Sequence, residues 1–275
     1  MEVFLNGQFR PASQAVVSVQ DRGLLYGDGL FETLRADDGQ PFWLRHHLAR
    51  LSRSAAALNL TLPPQFPWAE TIVELLRRNG LATGTAAVKI MVTRGEAAAL
   101  GLPTTDQPTM IISARAYTPP APADYHQGWP VVCFPERRQC FLGSHKSLNY
   151  LFCLAARQYA LDHGGREALI LEPDGTIAEG AAAGLLWQER GSYYTPQAAN
   201  ALPSVTLTVL EEILHRRGLE LHRALLPVPL LLRAEGAWLA NSLMGLLPVA
   251  ALDGQPLAIS SATSWLNDLL WSEAG

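Results

Sequence analysis

Lysine is nearly missing from this chain. Of twenty-one basic side chains only two are lysines, Lys89 and Lys146. Arginine stays protonated, whereas a buried lysine can lose its proton and act as a base or attack a carbonyl. The two lysines are either kept where arginine cannot serve or are surface survivors of a compositional bias. Counting leaves both readings open. Cysteine is scarce as well. Cys133, Cys140 and Cys153 are odd in number and show no metal-ligand spacing, which points away from a disulfide framework and towards a reduced, cytoplasmic setting. Positive charge is not in surplus. A net charge of −4 with no basic stripe argues against nucleic acid as a partner. Long apolar runs are absent: residues 225–252 are interrupted by Pro227, Pro229, Arg233, Glu235, Asn241 and Pro248, so they read as core and not as a membrane span. Residues 1–7 lack a basic region followed by an apolar one, so no signal peptide is expected.

What is present suits a well-packed globular protein. A 48% apolar and 17% charged chain of 275 residues fits one large or two ordinary domains. Asn6-Gly7 between two short apolar runs predicts a hairpin, and residues 16–19 a short strand. After a Gly-rich stretch, residues 21–29, strands are expected over 30–34 and 41–44. Apolar spacing then predicts helices over 45–58 and 68–78, the second stopped by Asn79-Gly80. Strands follow over 86–93 and 109–116. Prolines 119, 120 and 122 mark a linker, which divides the chain into a domain of residues 1–117, a linker of 118–125 and a domain of 126–275. In the second domain a strand is expected over 129–134 and a helix over 148–163. Hairpins turn at Pro173-Asp-Gly175 and Arg190-Gly191. A helix over 205–217 is capped by Ser204, strands cover 238–241 and 247–251, and a last helix covers 262–271. Strands and helices are segregated and no repeat is visible, so the fold class is α+β.

Several stretches carry chemistry, each with a plainer reading beside it. Gly27-Asp-Gly29 cradles a phosphate or, more simply, forms a turn. His46 and His47 are adjacent and make no i, i+4 metal pair. His47 and Arg50 share a helix face that meets one site or, as expected here, faces solvent. No G-x-S-x-G elbow is present, which disfavours a serine hydrolase. Ser204-Val-Thr206 opens a helix whose free N–H groups suit an anion, or whose serine is only a cap. Glu179 precedes Gly180-Ala-Ala-Ala183, small residues that leave room for a bulky neighbour, or it is a loop carboxylate. Taken together, these are a reactive amine, an arginine, a phosphate cup and an acid. They are the parts that hold pyridoxal phosphate.

The ordered motifs sharpen this. Asp21-Arg-Gly, Tyr26-Gly-Asp-Gly-Leu-Phe-Glu-Thr33, His47-Leu-Ala-Arg50, Lys146-Ser-Leu-Asn-Tyr150, Glu179-Gly180, Val205-Thr206 and Asn241-Ser242 run over essentially the whole chain. In that order they resemble the fold-type IV pyridoxal-phosphate enzymes. This is the class IV aminotransferase family of branched-chain aminotransferases, D-amino acid aminotransferases and aminodeoxychorismate lyases. The resemblance implies a two-domain fold with the cofactor held between the domains, in a cytoplasmic homodimer that acts on a small amino substrate. It makes Lys146 the Schiff-base lysine and Glu179 the partner of the pyridine nitrogen. Arg50, Val205, Thr206 and Ser242 would hold the phosphate, with Tyr150 also at the cofactor. Tyr26, Phe31, Thr33, Leu100 and Leu102 would line the substrate pocket.

Thr33, Val92-Thr-Arg-Gly95 and Ile259-Ser-Ser-Ala-Thr263 lean towards aminodeoxychorismate lyase, with Thr33 as a catalytic residue beside Lys146. That enzyme releases pyruvate and forms 4-aminobenzoate for folate synthesis. Two departures point elsewhere. An apolar Leu100-Gly-Leu102 stands where a carboxylate-binding arginine is expected, so that Arg94, Arg137 or another arginine has to replace it. Gly184 also replaces the family's asparagine. The alternative is an aminotransferase for an apolar amino acid or amine. A cofactor-free family member with a binding role is disfavoured by the intact set of Lys146, Glu179, Arg50 and Thr206.

Overall fold

The computed structural model describes residues 1–272. The chain divides into two compact units. Of the described residues, the first takes Met1–Pro119 and His145–Asn149; the second takes Pro120–Ser144 and residues 150–272. The short segment that carries Lys146 therefore packs within the first unit, although in sequence it follows the proline-rich stretch.

Among the described residues the first unit is a six-stranded antiparallel sheet with three helices. Its elements are β1 (Glu2–Leu5), β2 (Gln8–Pro11), α1 (Arg22–Tyr26), β3 (Gly29–Asp37), β4 (Gln40–Pro41), α2 (Leu44–Ala57), α3 (Trp68–Arg78), β5 (Thr85–Thr93) and β6 (Thr109–Ala116). The strand order is β2-β1-β6-β5-β3-β4. Asn6 and Gly7, both at positive φ, turn β1 into β2. Along β3, alternate side chains leave opposite faces of the sheet. Leu30, Glu32, Leu34 and Ala36 are all buried, and α2 packs on this strand. The periodic helices and the two long strands β5 and β6 form where expected. Two strand expectations fail. Of residues 41–44 only Pro41 is paired, and Leu44 already opens α2. Residues 16–19 pair with no strand, and Val16 and Val19 stay exposed, because a lone β-branched run with no apolar face to bury gains nothing from extension. The Gly-rich stretch instead contains α1, whose Asp21 cap accepts from the Gly23 N–H at 2.7 Å and which ends at left-handed Gly27.

The second unit contains α4 (Pro122–Gln127), β7 (Trp129–Arg137), α5 (Leu151–Asp162), β8 (Glu167–Leu171), β9 (Ile177–Gly180), β10 (Gly184–Glu189), β11 (Ser192–Pro196), α6 (Val205–Arg216), β12 (Leu221–Ala224), α7 (Val228–Leu231), β13 (Gly236–Asn241), β14 (Gly245–Leu252), β15 (Gln255–Pro256) and α8 (Ala262–Ser272). Its nine-stranded mixed sheet runs β12-β11-β10-β13-β14-β7-β8-β9, with β15 on β14. Part of the stretch read as a linker is thus the first turn of α4, since proline suits a helix N-terminus and Asp124 accepts from the Ala121 N–H at 2.9 Å. Val131 and Val132, neighbours on β7, point to opposite faces. Val131 joins a core with Leu169, Trp187, Leu239 and Leu247, while Val132 joins a smaller one with Phe134, Ala156, Ala160 and Ile170. The architecture is α+β.

Candidate active site

In the first unit the Lys146 segment is laid along the start of β3. The Phe31 N–H donates to the Lys146 carbonyl at 2.8 Å and the Leu148 N–H to the Gly29 carbonyl at 2.9 Å. Gly29 is required there, because an added Cβ would come within 2.7 Å of the Val92 carbonyl oxygen and 2.8 Å of Leu148. The Lys146 Nζ lies 4.6 Å from the centre of the Phe31 ring. The Lys89 Nζ lies 4.7 Å from the same ring. Both lysines of the chain therefore lie against one aromatic ring, and Lys89 is also the cross-strand partner of Thr33.

Arg50 and His47 do not face solvent. Both are buried on the inner face of α2, where they meet Glu32 of β3. Arg50 donates to Glu32 through Nε at 2.8 Å and Nη2 at 2.5 Å, and the His47 Nδ1 lies 2.7 Å from Glu32 Oε2. Burial alone would raise the Glu32 carboxyl, but the hydrogen bonds from Arg50 and His47 outweigh it and bring it down to about 2. A carboxylate accepts only, so the imidazole carries its proton on Nδ1. Burial lowers the His47 pKa against the pull of Glu32, with the charges of Arg50 and Lys146 acting in the same direction as burial. The solvated-face expectation fails because the carboxylate of Glu32 compensates the buried cation. Glu32 itself escaped the sequence reading. Its signal is a charge at an inward position, between Leu30 and Leu34.

Arg94 is not available to a substrate carboxylate. It is fully buried and donates to both Asp28 oxygens and to the carbonyls of Leu58, Asn59 and Pro103. Arg22 donates to Asp28 and to the carbonyls of Ala99 and Gly101. Two arginines thus brace the 99–103 loop from below, and Leu100 and Leu102 stand exposed at its tip. Tyr26 is exposed too, with the Arg22 guanidinium 5.0 Å from its ring centre. Arg137 lies in the second unit, where its Nη1 reaches the Glu172 carbonyl at 3.4 Å.

In the second unit, the predicted residues collect around the small-residue turn 179–184. Arg138 Nη2 donates to Glu179 Oε1, and the Leu202 N–H donates to Oε2 at 3.1 Å. The Tyr150 hydroxyl donates to the Ala181 carbonyl at 3.0 Å, and burial raises its pKa. Asn241, next to Ser242, donates to the Ala182 carbonyl at 3.2 Å. Gly184 lies against Ser204, the cap of α6; a Cβ there would meet the Ser204 Cβ and Leu207 Cδ1 at 3.0 Å. Only a residue without a side chain allows the start of α6 to come this close. Arg138, Glu172 and Asn200 were not foreseen. Arg138 also donates to the Asn200 carbonyl, and Asn200 donates through N at 2.8 Å and Nδ2 at 2.7 Å to Glu172, which straps down the loop leading into α6.

The family model for class IV amino-transferases matches residues 29–252. The chain belongs to the class IV amino-transferase family. It is 32% identical over 262 residues to a protein named as a branched-chain-amino-acid aminotransferase in Methanocaldococcus jannaschii, covering 93% of this chain and 89% of that one. It is 29% identical over 256 residues to the aminodeoxychorismate lyase of Bacillus subtilis, covering 91% and 86%. A hypothetical aminotransferase from Mycobacterium tuberculosis, solved with pyridoxal phosphate, shares the fold at TM-score 0.88 and 22% identity, covering 100% and 99%.

Among the buried polar atoms without a hydrogen-bond partner are His47 Nε2 in the first unit and Thr206 Oγ1 in the second. Thr206 is almost wholly buried in the first turn of the twelve-residue helix α6, where main-chain N–H groups find no partner inside the helix. A buried hydroxyl left unbonded at a helix N-terminus is matched by a phosphate, which accepts from both kinds of donor. The donor set fits the cofactor.

Proposed function

We propose that this chain is a pyridoxal-phosphate enzyme of the lyase type, releasing pyruvate from 4-amino-4-deoxychorismate to give 4-aminobenzoate. When bound, the cofactor supplies an electron-accepting pyridinium ring. Lys146 attaches it and carries the proton during elimination. Glu179, held by Arg138 and the Leu202 N–H, receives the pyridine nitrogen. Arg50, Val205, Thr206 and Ser242 take the phosphate, and Tyr150 is braced on the same turn as Glu179. Thr33 and Phe31 lie on the substrate side, and family membership supports each of these assignments.

One observation carries the lyase reading over a plain aminotransferase. The dicarboxylic substrate needs a cation, the arginine expected in the 100–102 loop is missing, and Arg94 is committed to Asp28 and main-chain carbonyls. Lys89, opposite Thr33 and over the same ring as Lys146, stands in its place. The exposed Leu100 and Leu102 favour the second reading, an aminotransferase for an apolar amino acid or amine. Exposed Leu24, Leu25 and Tyr26 support a homodimer, which light scattering tests. Cys133, Cys140 and Cys153 form no disulfide, in keeping with the cytoplasmic setting we propose. No described helix is long and apolar enough to cross a membrane.

Purified protein supplied with pyridoxal phosphate is expected to gain a visible absorbance band that Lys146→Ala loses. Pyruvate release from aminodeoxychorismate, compared with 2-oxoglutarate-dependent turnover of an amino-acid panel, separates the two readings. Turnover in the second assay alone overturns the lyase.

A further inference from the structure

The loop that leads into α6 is held by a buried carboxylate that the proposed chemistry does not use. Glu172 follows directly on β8. Its two oxygens take two donors from one residue: the Asn200 N–H reaches Oε1 at 2.8 Å, and Asn200 Nδ2 reaches Oε2 at 2.7 Å. Paired bonds of this kind add geometric specificity to their strength. Glu172 is itself fixed on a turn, where its N–H donates to the Thr176 carbonyl at 2.8 Å and its carbonyl accepts from the Gly175 N–H at 2.9 Å. The Asn200 carbonyl accepts in turn from Arg138 Nη2, and that same nitrogen donates to Glu179 Oε1. Two residues on, the Leu202 N–H donates to Glu179 Oε2 at 3.1 Å. Gly143 closes on the same carbonyl: a Cβ there would lie 2.2 Å from the Asn200 oxygen and 3.2 Å from Arg138 Nε. The bonds from Arg138 and Leu202 to Glu179 therefore both lead back to Asn200, one through its carbonyl and one along the chain.

We propose that Glu172 and Asn200 are a positioning pair for Glu179, acting through Arg138 and the Leu202 N–H. The clamp on Asn200 sets the direction of its carbonyl. That carbonyl takes one of the two hydrogens of Arg138 Nη2 and so aims the other at Glu179. The same clamp sets the height of the loop from which Leu202 reaches the second carboxylate oxygen. Nothing is transferred; the pair holds an acceptor in place, as the outer partners of a site orient the groups that touch its ligand. The inference rests on the proposed role of Glu179 towards the pyridine nitrogen, but its first test needs no cofactor.

That test is deuterium uptake over residues 197–204 of the full-length apoprotein, followed by mass spectrometry. Asn200→Asp turns one of the two donors into a second carboxylate facing Glu172, and like charges at that distance repel. Main-chain exchange in the segment is expected to quicken by about tenfold, the size of a lost bond to a charged group. Combining Asn200→Asp with Glu172→Gln exchanges the two chemistries: the new amide donates to the new carboxylate and its oxygen still accepts the main-chain N–H. This double variant is expected to return towards wild type. Uptake that Asn200→Asp leaves unchanged, or that the double variant fails to restore, overturns the inference. The second measurement sets binding of pyridoxal phosphate against binding of its 1-deaza analogue, whose ring has carbon in place of the pyridine nitrogen. Asn200→Asp is expected to lose about tenfold in affinity for pyridoxal phosphate and far less for the analogue, with the double variant recovering most of the loss. Equal losses for both ligands mark a loop held for structure alone and overturn the positioning role. Failure of wild type to bind pyridoxal phosphate sinks the proposed function instead, and the pair then stands or falls on the deuterium uptake.

Discussion

Two arginine–carboxylate clusters are buried in the first unit, and they end differently. Around Asp28, Arg94 meets one carboxylate and three main-chain carbonyls, while Arg22 meets the same carboxylate and two more carbonyls. That cluster closes on fixed backbone and holds loops in place. Around Glu32 the partners are side chains. Arg50 and His47 share one carboxylate, and the far nitrogen of His47 has nothing to bond. A buried cluster that satisfies every atom is scaffold. The second cluster leaves one buried ring nitrogen, His47 Nε2, without a hydrogen-bond partner.

Removing Arg94 should break the first cluster with the largest effect. Arg94→Met leaves Asp28 with Arg22 alone and strips a donor from the carbonyls of Leu58, Asn59 and Pro103. A loss of about 3–5 kcal/mol is expected in urea unfolding, as for other buried pairs cut on one side. The protein that remains folded should still attach cofactor. A cost under about 1 kcal/mol would take Arg94 off the scaffold side of the comparison.

Acid sensitivity probes the second cluster. The folded Glu32 carboxyl sits at about 2 against an ordinary 4.5, because its hydrogen bonds from Arg50 and His47 outweigh burial. The folded value lies below the unfolded one, so the stabilisation is complete above pH 4.5 and is lost as pH falls towards 2. It amounts to about 3 kcal/mol in all. His47, whose pKa burial lowers from 6.5, adds a loss in the same direction that begins at higher pH, since the unfolded chain takes the proton first. Glu32→Gln should flatten the limb between pH 4.5 and 2 in a stability profile measured by urea titration. An unchanged limb would assign the acid sensitivity to Asp28, whose carboxyl is also lowered: burial opposes the shift, and Arg94 and Arg22 overcome it.

The two clusters also differ in how far the sequence discloses them. Arg50 is reachable through its motif and Glu32 through its inward register between Leu30 and Leu34, since a charge on a buried face requires a partner. Arg94 reads equally well as a substrate ligand until its carbonyl partners are seen. Adjacent Arg137 and Arg138 give no hint that only the second turns inward. Long periodic elements such as α2, α3, β5 and β6 follow from their spacing. Helix α1 is hidden by Gly23 and Gly27, and α7 by the prolines that open it. The placement of Lys146 against Phe31 depends on a backbone bond between residues more than a hundred positions apart, which no local pattern encodes.

The second unit has its own close contact to break. Gly184→Asn brings a Cβ to 3.0 Å from the Ser204 Cβ and Leu207 Cδ1, both at the start of α6. Overpacking of this kind costs about 1–3 kcal/mol. Because the push falls on the helix cap, affinity for pyridoxal phosphate should fall along with the unfolding midpoint. A variant that loses stability but holds the cofactor as tightly as wild type would detach Thr206 from the phosphate.

Lys89 supplies the contrast to both clusters. It is an exposed cation on the face of Phe31, with no carboxylate beside it in the strand pairing, where Thr33 and Ser113 flank it. Its removal should leave the fold alone, because an exposed charge contributes little to stability. The expected effect is on the substrate: Lys89→Ala should raise KM for aminodeoxychorismate about tenfold, equivalent to about 1.4 kcal/mol, with kcat little changed. An apolar amino donor has no second carboxylate to lose and should show no such rise. A KM that stays level for the dicarboxylate would remove Lys89 as the proposed replacement for the missing arginine, and with it the preference for a lyase over an aminotransferase.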